Sequence, residues 1–250
     1  MDADHISAQY PDAGFFRYRE GFIRHLMADL KGRIASSEPC HCLDVGCNNG
    51  RYTAMLREEG FDVRGLDFDA SMLAVARERH PEITFDQGDA QAMALDDASF
   101  DVVVSLGLIQ CVPDWRAVLR EICRVLKPGG VALVETNRAA PAWEAAVKRW
   151  SYVFRRTMSS VAARQWYLSH RQSGTAPDNA GLRKFKPRDI QDVVRGAGVG
   201  RIVLHDPLKY GGFHDFNYAL VLEKTDGGEP ACSLDVCEAC RRGCRGALGI

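Results

Sequence analysis

The sequence predicts an α/β fold in which helices cover both faces of a largely parallel sheet, and three observations support this prediction. Short apolar segments alternate with segments of helical periodicity along most of the chain. Residues 100–105 form a nearly continuous β-branched run, as expected for a central strand buried on both faces. The next segment has clear helical spacing, with Asp114 as its cap and Pro128-Gly129-Gly130 as its stop.

Length and composition exclude several classes of protein. The 250 residues suit one α/β domain with an insertion. The formal net charge is −1 and the sequence contains no basic run, so we expect no nucleic-acid groove. No apolar stretch approaches the ~20 residues of a membrane span, and residues 1–5 do not resemble a signal peptide. We therefore expect a cytoplasmic protein that does not bind membranes.

Residues 42–52 are the stretch around which the chain is organised. A short apolar segment ends in Asp44, turns through residues 46–50 and continues as a helix. Gly46 and Gly50 keep side chains out of the turn, and free amides at a helix start can face polar ligand groups. The stretch therefore predicts a cradle for a nucleotide-like ligand.

An acidic residue near the end of the next strand would complete this cradle, because a carboxylate can accept hydrogen bonds from both ribose hydroxyls. Asp67 lies at about the ~20-residue separation that dinucleotide folds use. The third glycine of the G-x-G-x-x-G loop is missing after Gly50, which disfavours pyrophosphate binding. The alternative for Asp67 is a cap of the following turn.

Residues 44–50 (Asp-Val-Gly-Cys-Asn-Asn-Gly) resemble motif I of class I S-adenosylmethionine (SAM) methyltransferases, Asp-x-Gly-x-Gly-x-Gly. Asn48 replaces the middle glycine, and asparagine tolerates left-handed backbone angles better than most residues. Residues 66–73 are similar to the second motif of this family, and residues 124–130 to its helix-to-strand turn. The resemblance implies a Rossmann-like sheet of seven strands with the last one antiparallel, a helical lid insertion and SAM as the cofactor. The expected contacts to SAM in the motif I loop are Asp44, Gly46, Cys47, Asn48 and Gly50.

The resemblance also implies contacts outside the loop. In the turn Gly88-Asp89-Ala90, Asp89 would accept from the adenine amino group, the alternative being a plain turn residue. Phe68 would pack against adenine or belong to the core. Tyr18 and Arg24 are candidates to meet the methionine carboxylate, although a solvated surface helix is the simpler reading of that segment.

The acceptor is expected at the carboxyl end of the strand at 100–105, where parallel α/β sheets bind their ligands. Ser105 to Gln110 should line the place where donor and acceptor meet. Family members often carry histidines at the positions of Gln110 and Cys111, so the acceptor chemistry stays open. Cys111 is a candidate nucleophile or a structural thiol. His214 is a candidate base or orienting residue in a later loop, with an ordinary surface histidine as the alternative.

Five regions are predicted along the chain: an N-terminal helical cap (1–38), a SAM-binding core (39–138), a lid insertion (139–186), a final helix with two strands (187–225) and a Cys-rich tail (226–250). Tryptophans in the lid favour a planar or apolar small-molecule acceptor, or serve packing alone. The sheet is expected to be complete before the tail.

The tail carries four cysteines at the spacing C-x4-C-x2-C-x3-C, namely Cys232, Cys237, Cys240 and Cys244. Four thiolates this close would suit one Zn²⁺ or an iron–sulfur cluster. Disordered or redox-active thiols are the main alternative, and disulfide or substrate-like roles are a further one.

The sequence thus predicts a SAM-dependent methyltransferase that acts on a small molecule by in-line displacement, with Gln110 and His214 as candidate catalytic residues. Two alternatives belong to other classes. One is a non-catalytic SAM-fold module that binds a partner. The other is a thiol or metalloid handler whose tail delivers a soft metal to the site.

Overall fold

The computed structural model describes residues 13–34, 40–137, 183–205, 217–225 and 232–236. The strands are β1 His41–Val45, β2 Asp62–Asp67, β3 Thr84–Gln87, β4 Phe100–Leu106, β5 Leu126–Asn137, β6 Val199–His205, β7 Asn217–Lys224 and β8 Ser233–Val236. The helices are α1 Ala13–Arg33, α2 Arg51–Glu58, α3 Ala70–Arg79, α4 Trp115–Val125 and α5 Pro187–Val194. Within the described ranges, no helix is both long and apolar enough to cross a membrane.

The strands form one sheet in the order β3-β2-β1-β4-β5-β7-β6-β8. Strands β1 to β5 pair in parallel, whereas β7 runs antiparallel to both β5 and β6. This confirms the predicted α/β class and its antiparallel seventh strand. The carboxyl ends of β1 to β6 consequently share one edge of the sheet, and the loops that follow β1, β2 and β4 meet there.

The tail adds an eighth strand, which the prediction of a complete sheet before residue 226 missed. Strand β8 pairs in parallel with β6, and Arg201 Nε donates to Asp235 at 2.9 Å across the pair. The segment Ser-Leu-Asp-Val alternates polar and apolar residues, which is the period of a strand with one covered face. Four residues are too short to signal a strand without a neighbour to pair with.

Helices cover both faces of the sheet. Helix α1 packs on one face together with α2 and α3, and four of its residues are completely buried there: Ile23, Leu26, Met27 and Leu30. Helices α4 and α5 pack on the other face through residues such as Leu119, Ile122 and Ile190. The helical spacing in the sequence predicted these buried faces, and the structure confirms them.

Polar contacts anchor the C-terminal half of α1 to the sheet. Arg33 Nε donates to Asp29 at 2.6 Å, and Arg33 also pairs with Glu223 of β7. His205 Nε2, at the end of β6, lies 3.4 Å from Asp29. Burial raises the pKa of Asp29, but the hydrogen bonds from His205 and Arg33 outweigh this effect and hold the pKa below its ordinary value.

Candidate active site

The loop after β1 has the conformation that its glycines allow. Gly46, Asn48 and Gly50 have φ angles of 81°, 50° and 78°, all in the left-handed region. The turn therefore forms with asparagine at the middle position, as predicted. The amides of Gly46 and Cys47 donate to the carbonyl of Leu66 at 2.8 and 3.1 Å, which joins the loop to β2.

Asp67 clamps this loop from the end of β2. Its Oδ2 accepts from the Asn48 amide at 2.7 Å, and its Oδ1 accepts from the Asp69 amide at 2.9 Å. A carboxylate has about four acceptor positions, so two remain for a ribose. Asp67 is partly exposed, which leaves these positions accessible to a ligand.

Phe68 follows Asp67 and is exposed over 79% of its surface. It is the one large hydrophobic residue of the described part of the chain that is exposed. This exposure excludes a core role for Phe68. An apolar ring beside the acid predicted to bind ribose is suited to pack against an adenine base.

Asp44 lies beneath the loop and is only 2% exposed. Its Oδ2 accepts from the Thr53 hydroxyl of α2 at 2.6 Å. Burial raises the pKa of Asp44, the hydrogen bond from Thr53 lowers it, and the nearby charge of Asp67 adds a smaller rise, so that the pKa is about 7. Asp44 is therefore the acidic group of the loop whose charge changes near neutral pH.

Close packing holds the loop against β2. A methyl group at Gly65 would lie 2.5 Å from Phe85 Cδ1 and 2.9 Å from Cys47 Sγ. A methyl group at Gly50 would lie 2.8 Å from Phe85 Cζ. Burial raises the pKa of the Cys47 thiol. Cys47 is therefore an uncharged thiol that packs between the loop and Gly65 of β2.

This packing predicts that Gly65→Ala lowers the free energy of unfolding by about 1–3 kcal/mol through overpacking. Gly21→Ala in α1 is the matched control, because no atom lies within 4 Å of a methyl group there. The control should raise the stability by about 0.5–1 kcal/mol, since alanine favours a helix. Urea unfolding measures both effects, and equal stabilities of Gly65→Ala and the native protein would contradict the close approach.

Asp89 lies in the turn after β3 and is connected to the start of α4. Its Oδ1 accepts from the Gln91 amide at 2.8 Å and from Gln91 Nε2 at 3.1 Å. Gln91 Oε1 in turn accepts from the Asp114 amide at 2.9 Å. Ala90 is almost completely buried beside Asp89. Hydrogen bonds through Gln91 therefore connect the turn predicted to bind adenine to the start of α4, which lies beside the predicted acceptor edge.

The ends of β4 and β5 form the expected acceptor edge. Gln110 Oε1 accepts from the Thr136 hydroxyl at 2.9 Å, and the Gly107 amide donates to the Glu135 carbonyl at 3.0 Å. Sequence reasoning missed Glu135 and Thr136, which are 2% and 0% exposed. A polar pair directly after the apolar run at 131–134 was the available signal.

Two other residues of this edge have distinct environments. Ser105 is buried, and its hydroxyl has no hydrogen-bond partner among the described residues. The Cys111 thiol donates to the Gly107 carbonyl at 3.6 Å, and burial raises its pKa. A raised pKa favours the thiol over the thiolate, so Cys111 is better suited to a structural role than to nucleophilic attack.

The structure does not bring Arg24 to this site. Arg24 donates to Glu59 at 2.9 Å and to Glu58 at 3.0 Å, both at the C-terminal end of α2. Because α2 begins at the motif I loop, its C-terminal end lies toward the opposite edge of the sheet. The side chain of Tyr18, the whole of His214 and residues 138–182 of the predicted lid fall outside the described residues.

The predicted metal site in the tail is not supported. Cys232 is buried in an apolar cluster with Cys123 and Val194, and burial raises its pKa. A thiol in such surroundings is a poor metal ligand. Cys237, Cys240 and Cys244 are not among the described residues. The described ranges contain no group of three or more His, Cys, Asp or Glu that would hold a metal ion.

Residues 43–134, which contain the loop, Asp67, Asp89 and Gln110, match a family model described as a methyltransferase domain. This part of the chain is similar to a methyltransferase domain. SAM is the cofactor that this family implies. The residues fit it, since Asp67 keeps acceptor positions open and Phe68 is exposed beside it.

Curated relatives share this domain. Demethylmenaquinone methyltransferase of Shouchella clausii is 43% identical over 106 residues, which is 38% of this chain and 45% of that protein. Malonyl-(acyl-carrier protein) O-methyltransferase of Serratia marcescens is 39% identical over 127 residues, 51% of this chain and 50% of that protein. The chain thus spans about half the length of these relatives.

Solved structures with little sequence identity share the fold. A TehB-like SAM-dependent methyltransferase of Corynebacterium glutamicum has a TM-score of 0.51 and 20% identity, over 80% of this chain and 87% of that one. The cyclase SpnF has a TM-score of 0.55 and 18% identity, over 81% of this chain and 82% of that one. Because SpnF is named a cyclase, this likeness supports the fold and leaves the chemistry to be argued from the site.

Proposed function

We propose that the protein transfers the methyl group of SAM to a small-molecule acceptor. The observation that carries the proposal is the contact between Asp67 and the Asn48 amide, because it joins the ribose-binding acid to the glycine turn of a methyltransferase domain. The exposed Phe68 supplies an apolar surface for the adenine beside this contact.

The chain contributes chiefly binding and orientation to this reaction. SAM supplies an electrophilic methyl group when bound. Asp67 holds the ribose, and Asp89 accepts from the adenine amino group with the lone pairs that Gln91 leaves available. The sheet edge at Gln110 aligns the acceptor with the methyl group for in-line displacement. Orientation of this kind can supply about 7–11 kcal/mol of rate acceleration.

On the acceptor side, Gln110 and Thr136 offer a polar pair for positioning. Gln110 is therefore proposed to orient the acceptor rather than to remove its proton. A base is needed only for an acceptor that arrives protonated, and His214 stays a prediction for that role. Relatives named for demethylmenaquinone and for ubiquinone biosynthesis support an aromatic acceptor as one option.

The test is turnover of SAM in the presence of fractionated small-molecule extracts, with S-adenosylhomocysteine as the measured product. We expect SAM to bind and at least one fraction to produce S-adenosylhomocysteine above the blank. SAM binding without product from any fraction would favour the non-catalytic module. Absence of SAM binding would overturn the assignment of the loop itself.

A further inference from the structure

A groove lies between α4 and α5, outside the predicted SAM site. It has a volume of about 620 Å³. We call it the basic groove because four of its lining residues are cationic: Arg116, Arg120, Arg183 and Lys184. This volume is within the range of small-molecule sites, which is about 300–1,000 Å³.

The floor of the basic groove is a buried aromatic pair. Trp115 and Phe185 are 5% and 1% exposed, and their rings meet edge to face at 4.9 Å. The Arg116 guanidinium lies 4.3 Å from the centre of the Trp115 ring. The buried aromatic pair forms the base of the concave surface. The contact between Arg116 and the Trp115 ring orients this cation without neutralising its charge.

The four cations have no carboxylate partner among the described residues. Arg183 Nη1 has only long contacts, to the carbonyls of Val112 at 3.5 Å and Pro113 at 3.3 Å. Several arginines elsewhere in the described residues are instead paired with carboxylates, as Arg124 is with Glu121 at 2.7 Å. The basic groove therefore has cationic charge available for a ligand.

Two carboxylates also line the basic groove, and both have other contacts. Asp189 accepts from the Lys186 amide at 2.7 Å as the cap of α5. Asp192 lies 3.9 Å from Arg195, which is outside the groove. Four cations against two carboxylates leave a net charge of +2. This excess suits a dianion better than a single carboxylate, and arginine forks match the geometry of phosphate.

The basic groove lies near the predicted acceptor edge. Arg183 contacts the carbonyls of Val112 and Pro113, which lie two and three residues after Gln110 in the loop after β4. We propose that the basic groove binds the phosphate group of a phosphate-bearing acceptor, while the methylated end of that acceptor lies at Gln110. The part concerning the acceptor rests on the proposed methyl transfer.

Calorimetric titration of the full chain with pyrophosphate at low ionic strength tests this proposal. We expect binding in the native protein and a loss of affinity of about tenfold or more in the double variant Arg116→Gln, Arg183→Gln. The matched control is Arg188→Gln, because Arg188 is an exposed cation of α5 that does not line the basic groove. The control should keep native affinity, and all three proteins should bind SAM equally, which also confirms that they are folded.

Saturating SAM should leave pyrophosphate affinity unchanged. Competition between the two would place the anion in the motif I loop and overturn the proposal. Equal affinities of the double variant and the native protein would overturn it as well. Tighter binding of a glutamate-rich peptide than of pyrophosphate would favour an acidic protein partner and contradict a phosphate site. If SAM does not bind but pyrophosphate does, methyl transfer and the acceptor assignment fail together, whereas the anion site is retained.

Discussion

Replacement of Asp44 by asparagine is expected to make the free energy of unfolding less dependent on pH. In the native protein, titration of Asp44 should lower this free energy as the pH rises from about 4 to about 7. The pKa of Asp44 is raised from 3.8 to about 7 in the folded chain, mainly by burial. In the unfolded chain the carboxyl has an ordinary pKa of about 3.9. Between these values the folded state holds a proton that the unfolded state has lost, so rising pH favours unfolding.

The size of this change in stability follows from the shift in the pKa of Asp44. About three pKa units correspond to about 4 kcal/mol, which is a large part of the stability of an ordinary domain. Asparagine keeps an oxygen that accepts from the Thr53 hydroxyl but does not titrate. The variant should therefore lack this component of the pH dependence.

Urea unfolding of both proteins from pH 4.5 to pH 8 measures the effect. The free energy of unfolding of Asp44→Asn should rise relative to the native protein by about 3–4 kcal/mol across this range. The cost of burying the amide is the same at every pH and cancels in the comparison. A difference between the two proteins that does not change with pH would show that Asp44 titrates normally.

Replacement of Asp67 by alanine is expected to weaken SAM binding by about 10- to 100-fold. The variant loses the acceptor of the Asn48 amide, which positions the loop, together with the proposed ribose contact. Two functions of one carboxylate are removed at once. Calorimetry with SAM measures the affinity directly.

Asp69→Ala provides the matched control, because Asp69 also accepts from backbone amides. It caps α3 through the Ser71 amide at 2.8 Å and does not contact the motif I loop. We expect it to lower stability through loss of this cap and to leave SAM affinity nearly unchanged. Equal losses of affinity in both variants would mean that Asp67 acts only through the local turn.

The part of the site that the sequence predicted is the part that local backbone geometry determines. Gly46, Asn48 and Gly50 lie within one turn, where left-handed angles restrict the residue types. Asp67 ends the next strand, and parallel pairing of β1 with β2 brings it to the loop. These positions follow from the alternation of strands and helices, which the pattern of apolar residues in the sequence indicates.

The part that was not predicted depends on partners far along the chain. Helical spacing identified the buried face of α1, but the carboxylates that hold Arg24 lie 34 and 35 residues further on. The basic groove is equally hidden, because Arg183 meets a carbonyl 70 residues before it. The cations at residues 183–188 mark a charged segment, but they do not indicate which distant carbonyl Arg183 meets.

Strand β8 has a consequence for how the chain behaves toward other copies of itself. A strand at the rim of a sheet offers unpaired backbone groups to neighbouring molecules, and β6 would be such a strand without β8. The covering strand is only four residues long, and its Asp235 is paired with Arg201, which makes it a poor template for further strands. Proteolytic clipping before Cys232 would thus promote aggregation at the rim of β6 and leave intact the proposed SAM site, which lies several strands away at β1 and β2.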